Sequence, residues 1–247
     1  MWYGVCTIIF HRLKPIIACV LLRPTFAKIR GETMADIGYY GTYIKFMTED
    51  KRTASGFLGA DNMVGDRFTI ESEYDDGVRT GYIVNPFGIK MGTVDDKILD
   101  KVEVLKAKGW TVTALLVFVA FTEEPQPGYY WGELALIAYD PKYEAAFSNW
   151  ISLVSKKLGS GVRPDLKLGS KGFNQVVESD GSWFPSGRHQ LPPKQKGTAI
   201  VKSERSSTER LVDQARKNNI GCTIAGWAFI LVLVALLVYI IHICGVF

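Results

Sequence analysis

The residues best able to do chemistry lie in one stretch: Glu123, Glu124 and Glu133, with Tyr129, Tyr130 and Trp131 between them. An aromatic edge bearing carboxylates can line a ligand pocket, because small-molecule sites combine apolar walls with a few placed polar groups. Two such carboxylates in different environments could instead serve as general acid and general base. The same residue types also cap strand ends and pack over sheets, which is the structural alternative.

Other chemistries are excluded by residue type. The four cysteines are Cys6, Cys19, Cys222 and Cys244, so the middle of the chain can hold neither a disulfide nor a thiolate zinc site. His189 is the one histidine between residues 34 and 221, which excludes a His-rich metal centre. Asp75-Asp76 and Asp95-Asp96 fit a turn and a helix start and lack calcium-loop spacing, so no metal is expected. Gly159-Ser160-Gly161-Val162-Arg163 lacks the phosphate-loop patterns, and neither a G-x-S-x-G elbow, an H-E-x-x-H helix nor an S-x-x-K motif occurs. No cofactor is expected.

Charge is distributed by segment, at +4 over residues 1–33, −5 over 34–185 and +5 over 186–247. The basic balance therefore belongs to the ends. A nucleic-acid-binding domain carries its positive charge on the folded face that meets phosphate, and an acidic folded region argues against that partner. Hydrophobic residues make up 47% of the chain, enough for an ordered core.

The elements that must position the cluster read as follows. Tyr39–Met47, Phe68–Tyr74 and Val78–Val84 have the β-branched and aromatic content of strands, and Asp75-Asp76-Gly77 makes a hairpin turn. A turn at Asn85–Gly88 returns the chain through Ile89–Thr93. Thr93, with Asp96 three residues on, predicts a capped helix closed by Gly109. The continuous apolar run from Trp110 to Phe121 predicts a central strand, with Tyr129–Tyr139 antiparallel beside it. Asp140-Pro141 pairs an N-cap with proline at the first helical position, starting a helix whose apolar face carries Tyr143, Phe147, Trp150, Ile151, Val154 and Leu158. Thr48–Asp66 is a long loop joining two strands.

The expected fold is α+β, a mostly antiparallel sheet with two packed helices over residues 34–168. Residues 169–219 read as a linker ending in a short basic juxtamembrane helix. Residues 220–247 predict one C-terminal transmembrane helix, because Ile224–Ile243 is uncharged and about 30 Å long as a helix. Arg210, Arg216 and Lys217 would orient it with the preceding domain in the cytoplasm.

Residues 1–33 fit no export signal, since the apolar run Ile16–Leu22 is short and lacks a cleavage site. Arg30-Gly31-Glu32-Thr33 before Met34 resembles a bacterial ribosome-binding site translated in frame, so Met34 is the expected true start and residues 1–33 an untranslated leader or a disordered segment. The functional expectation is a tail-anchored, single-pass protein of the cell membrane. It would meet the lipid bilayer and possible protein partners and present a cytoplasmic interaction or ligand-sensing domain. The alternative is a membrane-tethered carboxylate-dependent enzyme using Glu123, Glu124 or Glu133.

Overall fold

The structure is a computed structural model. It describes residues 37–48, 51–75, 77–193, 195–217 and 219–243, with the side chains at 51, 75, 216–223 and 237–243 outside that description. All of these residues fall in one compact unit, Glu32–Phe247. The expectations for residues 1–33 lie outside the described residues.

Six strands carry the fold: β1 (Tyr39–Met47), β2 (Arg67–Asp75), β3 (Val78–Val84), β4 (Lys90–Val94), β5 (Thr111–Thr122) and β6 (Tyr129–Tyr139). They join in the order β2-β3-β4-β1-β6-β5, every pair antiparallel. β5 then pairs back to β2 through Arg67 with Leu115 and Phe68 with Ala114. The mostly antiparallel sheet expected from the sequence is thus a closed barrel.

Closure depends on a local irregularity. Leu116 faces Leu134 while Phe118 faces Glu133, leaving Val117 as an extra residue on β5. Such a bulge increases twist and bends a strand. Opposite it, Gly132 lets the backbones approach, because a Cβ there would collide with the Phe118 carbonyl and lie 2.7 Å from the Phe46 ring.

Strand alternation then sorts the apolar residues into two cores. Ile44, Phe46, Phe68, Ile70, Ile83, Met91, Ala114, Leu116, Leu134 and Leu136 come from all six strands and fill the barrel. Phe57 follows α1 (Lys51–Ser55), and its ring stacks on Phe46 and Phe68 at 5.1 and 6.1 Å. The Thr48–Asp66 stretch is therefore part of the core rather than a plain loop. Leu99 and Val102 of α2 (Asp96–Ala107) join the same cluster as a plug. Its N-cap is Asp95, whose carboxylate accepts from the Lys97 N–H at 2.9 Å. Thr93, the cap expected from sequence, is held in β4 opposite Tyr82 and Met47.

The second core lies outside the barrel, on β1, β5 and β6. Asp140 caps a single 3-10 turn at Pro141–Tyr143, and α3 (Glu144–Gly159) follows it. Phe147, Trp150, Ile151, Val154 and Leu158 of α3 are buried against Tyr39, Leu115, Ile137 and Tyr139.

The expected linker is folded instead. α4 (Gly169–Glu178) buries Phe173 and Val176, with the Phe173 ring 5.7 Å from Phe147. β7 (Thr198–Lys202) pairs with the C-terminal half of β5. α5 (Ser207–Lys217) starts with a capping box: the Ser206 N–H donates to Glu209 Oε2 at 2.8 Å and the Glu209 N–H to Ser206 Oγ at 3.2 Å. Lys202 Nζ lies 2.6 Å from Glu209 Oε1, with both side chains buried. Arg205 reaches the Val64 carbonyl at 2.6 Å, Asp66 at 3.2 Å and Asp213 at 2.9 Å. Three apolar residues on α4 and a five-residue strand are too weak a pattern to read locally, but the barrel gives each a surface to cover.

The expected transmembrane helix is overturned: among the described residues, no helix is long and apolar enough to cross a membrane. α6 spans Asn219–Ile243, but its described side chains run only from Ile224 to Leu236. The tail-anchored, single-pass membrane reading and its cytoplasmic topology fall with it. Arg210 is exposed on α5, whereas the side chains of Arg216 and Lys217 lie outside the described residues.

Candidate functional site

On the outer barrel face, Tyr43, Lys45 and Met47 alternate with the inward Ile44 and Phe46. Across the β1–β6 ladder, Lys45 stands opposite Glu133 and Met47 opposite Trp131. Above this face run residues 188–193 and 195–197, the strap. Arg188 bridges to Pro164, the His189 N–H donates to the Arg163 carbonyl at 2.9 Å, and Leu191 packs on the outer core. Pro192 and Pro193 follow. Neither has an N–H to offer a sheet, and pairing with β5 begins only at Thr198.

The consequence is a groove of about 690 Å³ between strands and strap. Lys45, Met47, Tyr129 and Trp131 line one side and Pro192 and Pro193 the other, with Thr122, Gln195 and Thr198 adding polar atoms. Trp131 is fixed in place. Its Nε1–H donates to Thr122 Oγ1 at 2.9 Å, its ring meets Phe118 edge-on at 5.5 Å, and Lys45 Nζ lies 5.4 Å from its centroid. Thr122 Oγ1 is in turn 3.1 Å from Thr198 Oγ1, tying the floor to β7.

Beside the groove Glu133 is buried, at 8% exposure, and its Oε2 lies 2.9 Å from His189 Nε2. A carboxylate can only accept, so this geometry favours the imidazole form with a proton on Nε2. The His189 ring stacks on Tyr43 at 3.9 Å and 10°. Tyr43 Oη donates to the Pro164 carbonyl at 2.6 Å. Burial pushes the Tyr43 phenol above its ordinary pKa against the lowering effect of Arg163, and the Asp165 and Glu133 charges add to the rise. These contacts hold the strap to the barrel.

The sequence cluster is therefore split. Tyr129 and Trp131 line the groove, and Glu133 sits next to it facing His189. Tyr130 points the other way by strand alternation, packing on the barrel core with its ring 4.8 Å from Phe121. Glu123 and Glu124 are exposed at the β5–β6 loop, where the Glu123 N–H donates to the Gly197 carbonyl at 2.8 Å. Lys45, Met47, His189 and the proline pair were missed by sequence reasoning. The outward alternation of Tyr43, Lys45 and Met47 and the isolation of His189 were the signals available for them.

Arg163, the arginine after the glycine turn, is used internally, donating to the Gly161 and Ser203 carbonyls at 3.1 and 2.8 Å. Burial lowers its pKa. A hollow of about 550 Å³ near Arg52 is backed by Asn62 and Asn85, which bond to each other at 3.0 Å and brace the β3–β4 turn. Among the described residues no group of three or more His, Cys, Asp or Glu side chains could hold a metal ion. Neither a protein-family model, a curated protein nor a solved structure matches this chain, so the groove is interpreted on its own geometry.

Proposed function

We propose that the chain is a ligand-binding module whose site is the groove under the strap of residues 188–193 and 195–197, taking a small molecule with an apolar body. One observation carries the reading: about 690 Å³ of concave surface is walled by Trp131, Tyr129, Met47 and two prolines. That volume and character are those of a drug-sized ligand site. The walls are also preorganised, since Trp131 is held by its bond to Thr122 and the strap by His189 on Glu133.

The lining favours binding over acid–base chemistry. Among the described residues no carboxylate lines the groove, and the three glutamates do not converge on it. A general acid and a general base must both reach the same substrate.

Titrating the full chain with the neutral fluorophore N-phenylnaphthylamine tests the proposal. The expected result is saturable binding at one site that Trp131→Ala weakens by about tenfold or more. Binding indifferent to that substitution would remove the groove as the site.

A further inference from the structure

Resting on that reading, we infer that the groove's ligand is an amphipathic monoanion, with its anionic head at Lys45 and its apolar body along Trp131 and the two prolines. Lys45 is the one charged side chain among the described residues that line the groove. Register places it opposite Glu133, the obvious counter-charge. Yet the Glu133 carboxylate is taken up by His189, and the Lys45 ammonium leans over the Trp131 ring instead. Among the described residues no carboxylate lies within ion-pair distance of Lys45 Nζ. The groove thus presents an uncompensated cation at the edge of an aromatic floor.

Filling this space with a neutral apolar molecule would take water from the ammonium and give no counter-charge in return. A cationic ligand would meet Lys45 as a like charge. An anion gains a charge-assisted hydrogen bond from Nζ, strengthened by the apolar walls. The side-chain amide of Gln195 is available at the same groove for a second polar contact. The head group is a carboxylate, sulfonate or comparable single charge, because among the described residues Lys45 is the one cation lining the groove to receive it.

The experiment uses two probes that share an aromatic body and differ in one group: anilinonaphthalene sulfonate and neutral N-phenylnaphthylamine. Each is titrated against the full chain as wild type, Lys45→Met, Lys45→Arg and Trp131→Ala. Binding removed by Trp131→Ala defines the groove component and subtracts adsorption to other apolar surface such as the exposed residues of α6. Thermal melts confirm that each variant is folded, which the exposed position of Lys45 permits.

In the groove component the sulfonate is expected to bind at least about tenfold more tightly than its neutral partner. Lys45→Met should weaken the sulfonate at least about tenfold more than the neutral probe, erasing that preference, and Lys45→Arg should retain it. Equal affinity of the two probes in wild type, or a preference that survives Lys45→Met, overturns the anion assignment. A neutral probe still sensitive to Trp131→Ala would leave the groove itself standing. Insensitivity of both probes to Trp131→Ala overturns both readings.

Discussion

The outer face of β5 and β6 has two ends that are built alike and used differently. At the Ala135–Tyr139 end, α3 and α4 lie over the strands and the rings of Tyr39, Tyr139, Phe147 and Phe173 stack at 5.1 to 5.7 Å. At the Tyr129–Trp131 end the cover is a strap containing Pro192 and Pro193, and the aromatic side chains remain half-buried around open space. Both ends carry two large outward aromatics, Tyr39 and Tyr139 at one and Tyr129 and Trp131 at the other. What separates a core from a site here is the covering segment: a helix brings a side chain to the strands at every turn, whereas two consecutive prolines bring neither sheet hydrogen bonds nor long side chains.

The packed end should respond to truncation with the largest loss of stability. Trp150→Ala removes a fully buried ring from the outer core, and about 3–5 kcal/mol is expected from denaturant unfolding. Trp150→Phe should cost clearly less, because Trp150 Nε1 has no acceptor among the described residues and its removal strands no partner. Equal losses for the two would mean that the indole N–H is satisfied.

The next effect concerns the clamp that brings the chain back past the groove. Lys202→Met leaves the buried Glu209 carboxylate without its cation and the Gly59 and Asn62 carbonyls without a donor, for an expected loss of about 3 kcal/mol. Burial alone would raise the Glu209 pKa. Hydrogen bonds from Lys202 and the Ser206 N–H, with the Lys202 charge, outweigh it and hold the carboxyl below its ordinary value. A depressed folded-state pKa stabilises the protein above the unfolded value of about 4.3, and that contribution is lost as pH falls through the folded value. Wild type should therefore lose this stabilisation below about pH 4, and Lys202→Met should show a flatter acid limb in pH-dependent melts.

How much of this was legible depends on the range of the interaction. β1 and β6 could be read to the residue, since Tyr39–Met47 and Tyr129–Tyr139 carry strand composition between clear turn signals. Asp140 was legible because capping is local. Barrel closure was not, because it rests on the Val117 bulge and on two residue pairs between β2 and β5. Nor were α4 and β7, whose few apolar residues acquire meaning only from the surfaces they meet. The site shows the same limit: Trp131 drew notice from its neighbours, but Lys45 and His189 are distant in sequence and meet it only through the ladder and the strap. The uncharged C-terminal run had the opposite fault, a strong local signal for a membrane span that the described helix does not support.

At the open end stability and binding should separate. Trp131 is half-buried, so Trp131→Ala is expected to cost only about 1 kcal/mol in unfolding while weakening groove ligands by about tenfold. A stability loss matching that of Trp150→Ala would make Trp131 a core residue and erase the contrast between the two ends.

The smallest effect is expected where the sequence pointed most directly. Glu123, Glu124 and Glu133 read as one cluster, but Glu123 and Glu124 are exposed at the β5–β6 loop while Glu133 lies buried against His189. Glu123 is fixed there by its backbone N–H, which survives any side-chain change, and neither side chain lines the groove. Exposed substitutions away from caps and ion pairs usually fall within about 0.5 kcal/mol. The double substitution Glu123→Gln with Glu124→Gln should therefore leave the melting curve nearly unchanged and shift affinity for a neutral groove probe by less than about twofold. For an anionic probe, removal of two nearby negative charges should strengthen binding slightly at low salt and leave it unaltered once the charges are screened. A loss of neutral-probe binding in this variant would bring the loop carboxylates back into the site and show that the groove extends over the end of β5.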